Sequence, residues 1–247
     1  MHQRFIKGLY VLVCGLMLSI PVVAFGTPTL QLDIKDGVYV GGTDETIYAT
    51  NQVFNLYAYL IPGGSSTLSN TYYIAAALVP MTGPPGGNFG SFEFGSSTVQ
   101  VTSDMTYGVP PLESILGGAA FDAKDLSQHN IYETYFAEFA FTFSSPDMSG
   151  IYNTQDDTGQ GPISGSGMYF KEFSVDTSGL LPGYSIHFDL YSEKILAGGD
   201  IDRDDFAPFS HDAQGIPNTP VPEPGTMVLL GSGLVGLAGW GRKRFRK

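Results

Sequence analysis

The densest run of ligand atoms in this chain is Asp200-Ile201-Asp202-Arg203-Asp204-Asp205. Alternating aspartates converge oxygens on one point, which suits calcium, a hard cation that takes about six to eight oxygen ligands. In an EF-hand loop, acids fill positions 1, 3 and 5, glycine position 6 and glutamate position 12. Asp200, Asp202 and Asp204 fit the first three, but Asp205 stands where glycine should turn the chain. His211 stands at the glutamate position, and Asp212 comes one residue late. Two readings stay open: a looser calcium loop of Asp200, Asp202, Asp204, Asp205 and Asp212, or a solvated acidic loop partly neutralised by Arg203. Asp156-Asp157, after Asn153, is a weaker place for the same chemistry. Calcium is the only cofactor these residues suggest.

Other chemistry finds less support. His129, His187 and His211 are the histidines of the central region, and a zinc site needs three or four convergent ligands with clear spacing. His187 and Asp189, two apart on a strand, share a face; the pair reads as a polar sheet face. There is no HExxH, no GxSxG and no phosphate loop. A glycosidase needs two carboxylates held about 5–9.5 Å apart. Glu133 and Glu138 bracket an aromatic-rich strand, but their odd spacing puts them on opposite faces. No catalytic residue is expected. Exposed tyrosines stack well on sugar rings, and Tyr48, Tyr57, Tyr59, Tyr72, Tyr73, Tyr132, Tyr135, Tyr169, Tyr184 and Tyr191 are many for one domain. Most are expected in the core or on sheet faces, and the single tryptophan, Trp240, lies in the tail.

The elements that must hold these residues read as strands. In Gln52 to Leu60, Phe54, Leu56, Ala58 and Leu60 share one face. In Tyr135 to Phe143, Tyr135, Ala137, Phe139, Phe141 and Phe143 do the same, with Glu138 and Thr142 opposite. This period of two is that of a half-buried strand. Further strands are expected at 30–34, 71–79, 91–94, 98–102, 168–175 and 184–191, where aromatic and β-branched residues dominate. Glycine and proline punctuate them, as in Pro62-Gly63-Gly64 and Gly83-Pro84-Pro85-Gly86-Gly87. Short helical turns are expected at 111–116 and 194–197. The fold class is all-β: an antiparallel β-sandwich, jelly-roll-like, over residues 27–214. Residues 215–221 form a proline-rich spacer.

Charge limits the partners. The chain carries a net charge of −12, but Thr27 to Pro220 holds 5 basic residues against 23 acidic ones, a net charge of −18. Phosphate binding needs a positive patch, so nucleic acid is excluded as a partner.

Both ends are addresses. Arg4 and Lys7 precede an apolar run over 9–24, followed by small residues with Val22 and Ala24 placed for signal peptidase. This is a secretory signal peptide, taken as residues 1–26. The only cysteine, Cys14, lies inside it, so the mature chain has no thiol and no disulfide. At the other end, 15 residues from Thr226 to Trp240 are apolar and glycine-rich. As a helix they span roughly 22 Å at 1.5 Å per residue, short for a hydrocarbon core of ~30 Å. Arg242, Lys243, Arg244, Arg246 and Lys247 follow and keep the C-terminus cytoplasmic, with the acidic domain outside.

Pro222-Glu223-Pro224, an apolar transmembrane helix and an Arg-rich end, in that order over 222–247, resemble the PEP-CTERM sorting signal of Gram-negative bacteria. The resemblance implies that an exosortase, a membrane enzyme, reads the tripeptide and removes the helix and basic end. The anchor is then transient: an inner-membrane precursor becomes a cell-surface or extracellular protein. Such proteins are associated with exopolysaccharide-producing, biofilm-forming bacteria. The stretches LDIKDGVYVGGTDETIYAT, YYIAAALVP, YNTQDD and DIDRDDFAPFSHDA resemble the choice-of-anchor N proteins, a group with no assigned activity. The expected function is a secreted, surface-sorted structural or matrix component without catalysis. The alternatives are a carbohydrate-binding module, with or without calcium, and an extracellular hydrolase.

Overall fold

Alternating apolar residues become strands wherever a sheet can bury one face, and the central region of this chain is built almost wholly that way. A computed structural model describes residues 27–42, 45–64, 66–81, 87–116, 133–197 and 203–218. Among them run β1 (Leu30–Ile34), β2 (Val38–Val40), β3 (Thr46–Tyr48), β4 (Val53–Leu60), β5 (Tyr72–Val79), β6 (Ser91–Phe94), β7 (Ser97–Gln100), β8 (Thr106–Gly108), β9 (Thr134–Phe141), β10 (Met148–Gly150), β11 (Gly167–Asp176), β12 (Ser185–Ser192) and β13 (Ala213–Gln214). Short helices at Pro111–Leu116 and Lys194–Ala197 fall where the sequence places helical turns. The expected signal peptide and the tail from 219 onward lie outside the described residues.

The strands form two sheets. One has the order β1-β4-β11-β6-β7, with β10 beside β11; the other has the order β2-β3-β13-β12-β5-β9-β8. Every pair is antiparallel except β13 beside β3. The sheets close on one core, as a β-sandwich does. Leu30, Leu32 and Ile34 of β1 and Phe54, Leu56, Ala58 and Leu60 of β4 meet Ile74, Ala76 and Leu78 of β5 and Ile186, Phe188 and Leu190 of β12. Phe94 joins the layers: its ring lies 4.1 Å from that of Phe139 in the opposite sheet and 4.8 Å from that of Phe173 in its own. At the crossing of the 90 and 179–180 segments the backbones nearly touch. A Cβ on Gly90, which has φ +93°, would lie 2.2 Å from the Gly179 carbonyl oxygen.

Both outer faces are also covered, in part. Over the first sheet, Tyr152 and Ile163 of the 151–166 segment pack on Tyr57, Tyr59 and Met168. All five residues of β1 are therefore buried. Gln31 bonds the loop through its amide groups, donating to the Tyr152 carbonyl and accepting from Thr154 N–H. Over the second sheet, Leu112, Ile195, Phe206 and Phe209 pack on Ala75 and Tyr191. The C-terminal strand does not end the bonding. Gly215 N–H donates to Ile186 C=O and Asn218 N–H to Tyr184 C=O, so 215–218, the start of the expected spacer, runs along β12.

Candidate functional site

Alternation along β12 sends Ile186, Phe188 and Leu190 inward and Ser185, His187, Asp189 and Tyr191 outward. On β5, Ala77 pairs with His187 and Ala75 with Asp189. Two methyl-sized neighbours leave polar side chains standing above the sheet. On the other flank Gln214 of β13 pairs with His187. The 3₁₀ turn Phe209–His211 delivers Asp212 just before β13. The helix Pro111–Leu116 lies over this face, with Leu112 in the apolar cluster and both carboxyl oxygens of Glu113 buried.

His187, Asp189 and Asp212 are thus brought together from two segments, each about 1 % exposed. His187 Nε2 lies 3.4 Å from Asp189 Oδ1 and 3.3 Å from Asp212 Oδ2. Its other ring nitrogen, Nδ1, lies 3.3 Å from Gln214 Oε1. Burial alone pushes the imidazole toward its neutral form. The Asp212 and Asp189 carboxylates outweigh that and hold its pKa well above the ordinary value. Burial, and then the charge of Asp189, raise Glu113 well above the usual carboxylate range. The group is a buried polar cluster, where the His187–Asp189 spacing suggests only a polar sheet face.

The residues of the acidic run go to different places. Asp200 and Asp202 lie outside the described residues. Asp204 Oδ1 accepts from the Thr29 hydroxyl at 2.7 Å, and its carbonyl accepts from Ser66 Oγ. Asp205, fully buried, meets Lys194 Nζ at 3.4 Å and the Ser192 hydroxyl. Of the three described aspartates weighed as calcium ligands, Asp204, Asp205 and Asp212, only Asp212 joins the His187 cluster. Asp156 and Asp157 are exposed in the 151–166 segment. His129 lies outside the described residues. His211 is buried between Asn153 Oδ1 at 2.9 Å and Ser210 Oγ at 2.8 Å, and burial lowers its pKa to about 4. Glu138 accepts from the Tyr191 hydroxyl, and Glu133 lies 3.5 Å from the Tyr107 hydroxyl. Among the described residues every tyrosine is buried or half-buried; Tyr132 lies outside them. Glu113 carried no signal in the sequence beyond its place in the first turn of a short helix.

Residues 220–244 match the PEP-CTERM protein-sorting motif. That motif marks a secreted protein: a membrane-anchored precursor processed by an exosortase and then sorted to the surface. Pro222, Glu223 and Pro224, and the basic residues Arg242, Lys243 and Arg244, fall inside the match; Arg246 and Lys247 follow it. All eight of these, and the apolar run between the two groups, lie outside the described residues. Among the described residues no helix is long and apolar enough to cross a membrane. No curated protein and no solved structure matches the chain.

Proposed function

We propose that the exported domain is a non-catalytic structural component of the extracellular matrix of a Gram-negative bacterium, its ectodomain akin to the choice-of-anchor N proteins. The sorting signal at 220–244 carries this reading. Two features of the sandwich support it. Among the described residues, the tyrosines that would stack on sugars are buried or half-buried, as with Tyr59 and Tyr152, whose rings meet edge-on at 5.5 Å. Among the described residues, several of the acids and histidines that would do chemistry are buried and bonded within the fold, as with Asp205 and His211. An acidic surface suits a matrix protein that stays soluble until it meets a cationic or cation-bridged partner.

The test uses the host. A strain lacking the chain should lose matrix cohesion while its exopolysaccharide keeps its chain length, and the purified protein should leave that polymer uncut. Shortening of the polymer by the protein would replace this reading with a hydrolase. Saturable co-sedimentation with the polymer alone would replace it with a carbohydrate-binding module.

A further inference from the structure

His187 Nε2 stands 3.4 Å from Asp189 Oδ1 and 3.3 Å from Asp212 Oδ2. A charge-assisted N–H···O bond is shorter, about 2.7–2.9 Å. A tetrahedral ion about 2.0–2.2 Å from nitrogen and oxygen ligands keeps those ligands about 3.3–3.6 Å from one another. Both separations fall in that range. The ligand atoms of all three residues lie within 4.8 Å of one another.

The far side of the imidazole gives a second, independent sign. Nδ1 lies 3.3 Å from Gln214 Oε1, the arrangement in which Nδ1–H donates to a fixed acceptor. Metal-bound histidines are held this way, because the outer hydrogen bond fixes the tautomer and leaves the other nitrogen as a ligand. In that tautomer Nε2 offers its lone pair on the side of the two carboxylates, so that one nitrogen and two carboxylate oxygens are available to a cation. The β5 partners beneath, Ala75 and Ala77, add no side chain larger than a methyl on that face.

We infer that His187, Asp189 and Asp212 form a buried site for a first-row divalent cation of the zinc type, under the helix that carries Glu113. Imidazole with carboxylate suits zinc and its neighbours, whereas calcium takes an all-oxygen cage. The ion's role is structural: it fastens the segment ending in Asp212 to the middle of β12. Asp204 and Asp205 of the acidic run have other partners, and the site does not depend on the matrix reading.

The full chain, purified in mild detergent without chelator, is analysed for bound metal. It is then stripped and titrated with Zn²⁺ or Ca²⁺ while Tm is followed, and Co²⁺ loading is read by the visible bands of a four-coordinate ion. The expected result is about one Zn²⁺ per chain, a higher Tm with Zn²⁺ and not with Ca²⁺, and loss of both in Asp212→Asn and His187→Gln. Asp204→Asn should keep the site. Because the site variants can fail to fold, the unsubstituted chain decides by itself. A folded, stripped chain that takes up neither Zn²⁺ nor Co²⁺ overturns the inference and leaves His187 as an imidazolium bridging two aspartates. A Tm rise with Ca²⁺ alone overturns it too, as does Zn²⁺ binding that survives in both site variants.

Discussion

The Tyr152 hydroxyl donates to Asp33 Oδ2 at 3.0 Å, joining the 151–166 loop to the outer face of β1. Gly159 N–H and Gly161 N–H donate to the same carboxyl at 2.8 Å and 3.2 Å. One aspartate thus organises the loop that packs on the outer face of the first sheet. Replacing Tyr152 by Phe removes the hydroxyl but keeps the ring, and should cost about 1–3 kcal/mol in urea unfolding. An unchanged midpoint would mean that ring packing on Tyr59 holds the loop by itself.

Asp33 also sets a pH dependence. Burial raises its pKa above 3.8, and the three donors only partly oppose that. A carboxyl raised in the folded state binds its proton more tightly there. Its contribution to stability is therefore fully present below the unfolded pKa and is lost as pH rises through the folded one. Unfolding free energies measured from acid to neutral pH should show the natural chain losing stability relative to Asp33→Asn. If it gains instead, the donors favour the carboxylate more than burial disfavours it.

The core makes its own demand at Phe94, stacked on Phe139 across the sandwich and on Phe173 beside it. Phe94→Ala should destabilise by about 3–5 kcal/mol, as large-to-small changes at well-packed aromatic sites do. A loss below about 1 kcal/mol would mean that the two sheets close over the gap.

Lys194 places a cation 3.4 Å from a fully buried carboxylate, Asp205. Lys194→Met should lower stability by about 1–3 kcal/mol, less than for a wholly buried pair because the lysine is partly in water. Thermal unfolding across a salt series checks it. Equal melting of the two proteins at low salt would show that the pair contributes nothing.

Sorting offers the test nearest to biology. Substituting Pro222 and Glu223 should leave an uncut precursor in the membrane, read by intact mass of the membrane and released fractions. A trimmed C-terminus in that variant would mean that processing does not read those two residues.

Much of the sandwich was legible in the sequence because long strands carry their own period. The alternation of Phe54, Leu56, Ala58 and Leu60 places β4 correctly, and 30–34 and 91–94 match β1 and β6 at both ends. Three-residue strands such as β2, β8 and β10 are too short to show a period, and the two residues of β13 owe their place to β3 and β12. Alternation also says which residues share a face without saying what covers it. Gln31 and Asp33, the polar residues of β1, lie buried under a loop. The candidate site was half legible: the spacing of His187 and Asp189 shows that they share a face. Asp212 reads as a late member of an acidic run, because nothing local reveals that the turn Phe209–His211 aims it at β12. Glu113 arrives from a helix with no sequence link to any of the others.

The hydrogen bonds that run 215–218 along β12 set the length of a leash. Asn218 is fastened at both ends, donating its N–H to Tyr184 C=O while its own carbonyl accepts from Gly183 N–H. Four residues then lead to Pro222, at most about 14 Å of fully extended chain. A processing enzyme must therefore cut almost against the surface of a folded body parked at the bilayer. Sandwich and protease must fit each other in shape, and lengthening this stretch should relieve crowding at the cut without touching the motif.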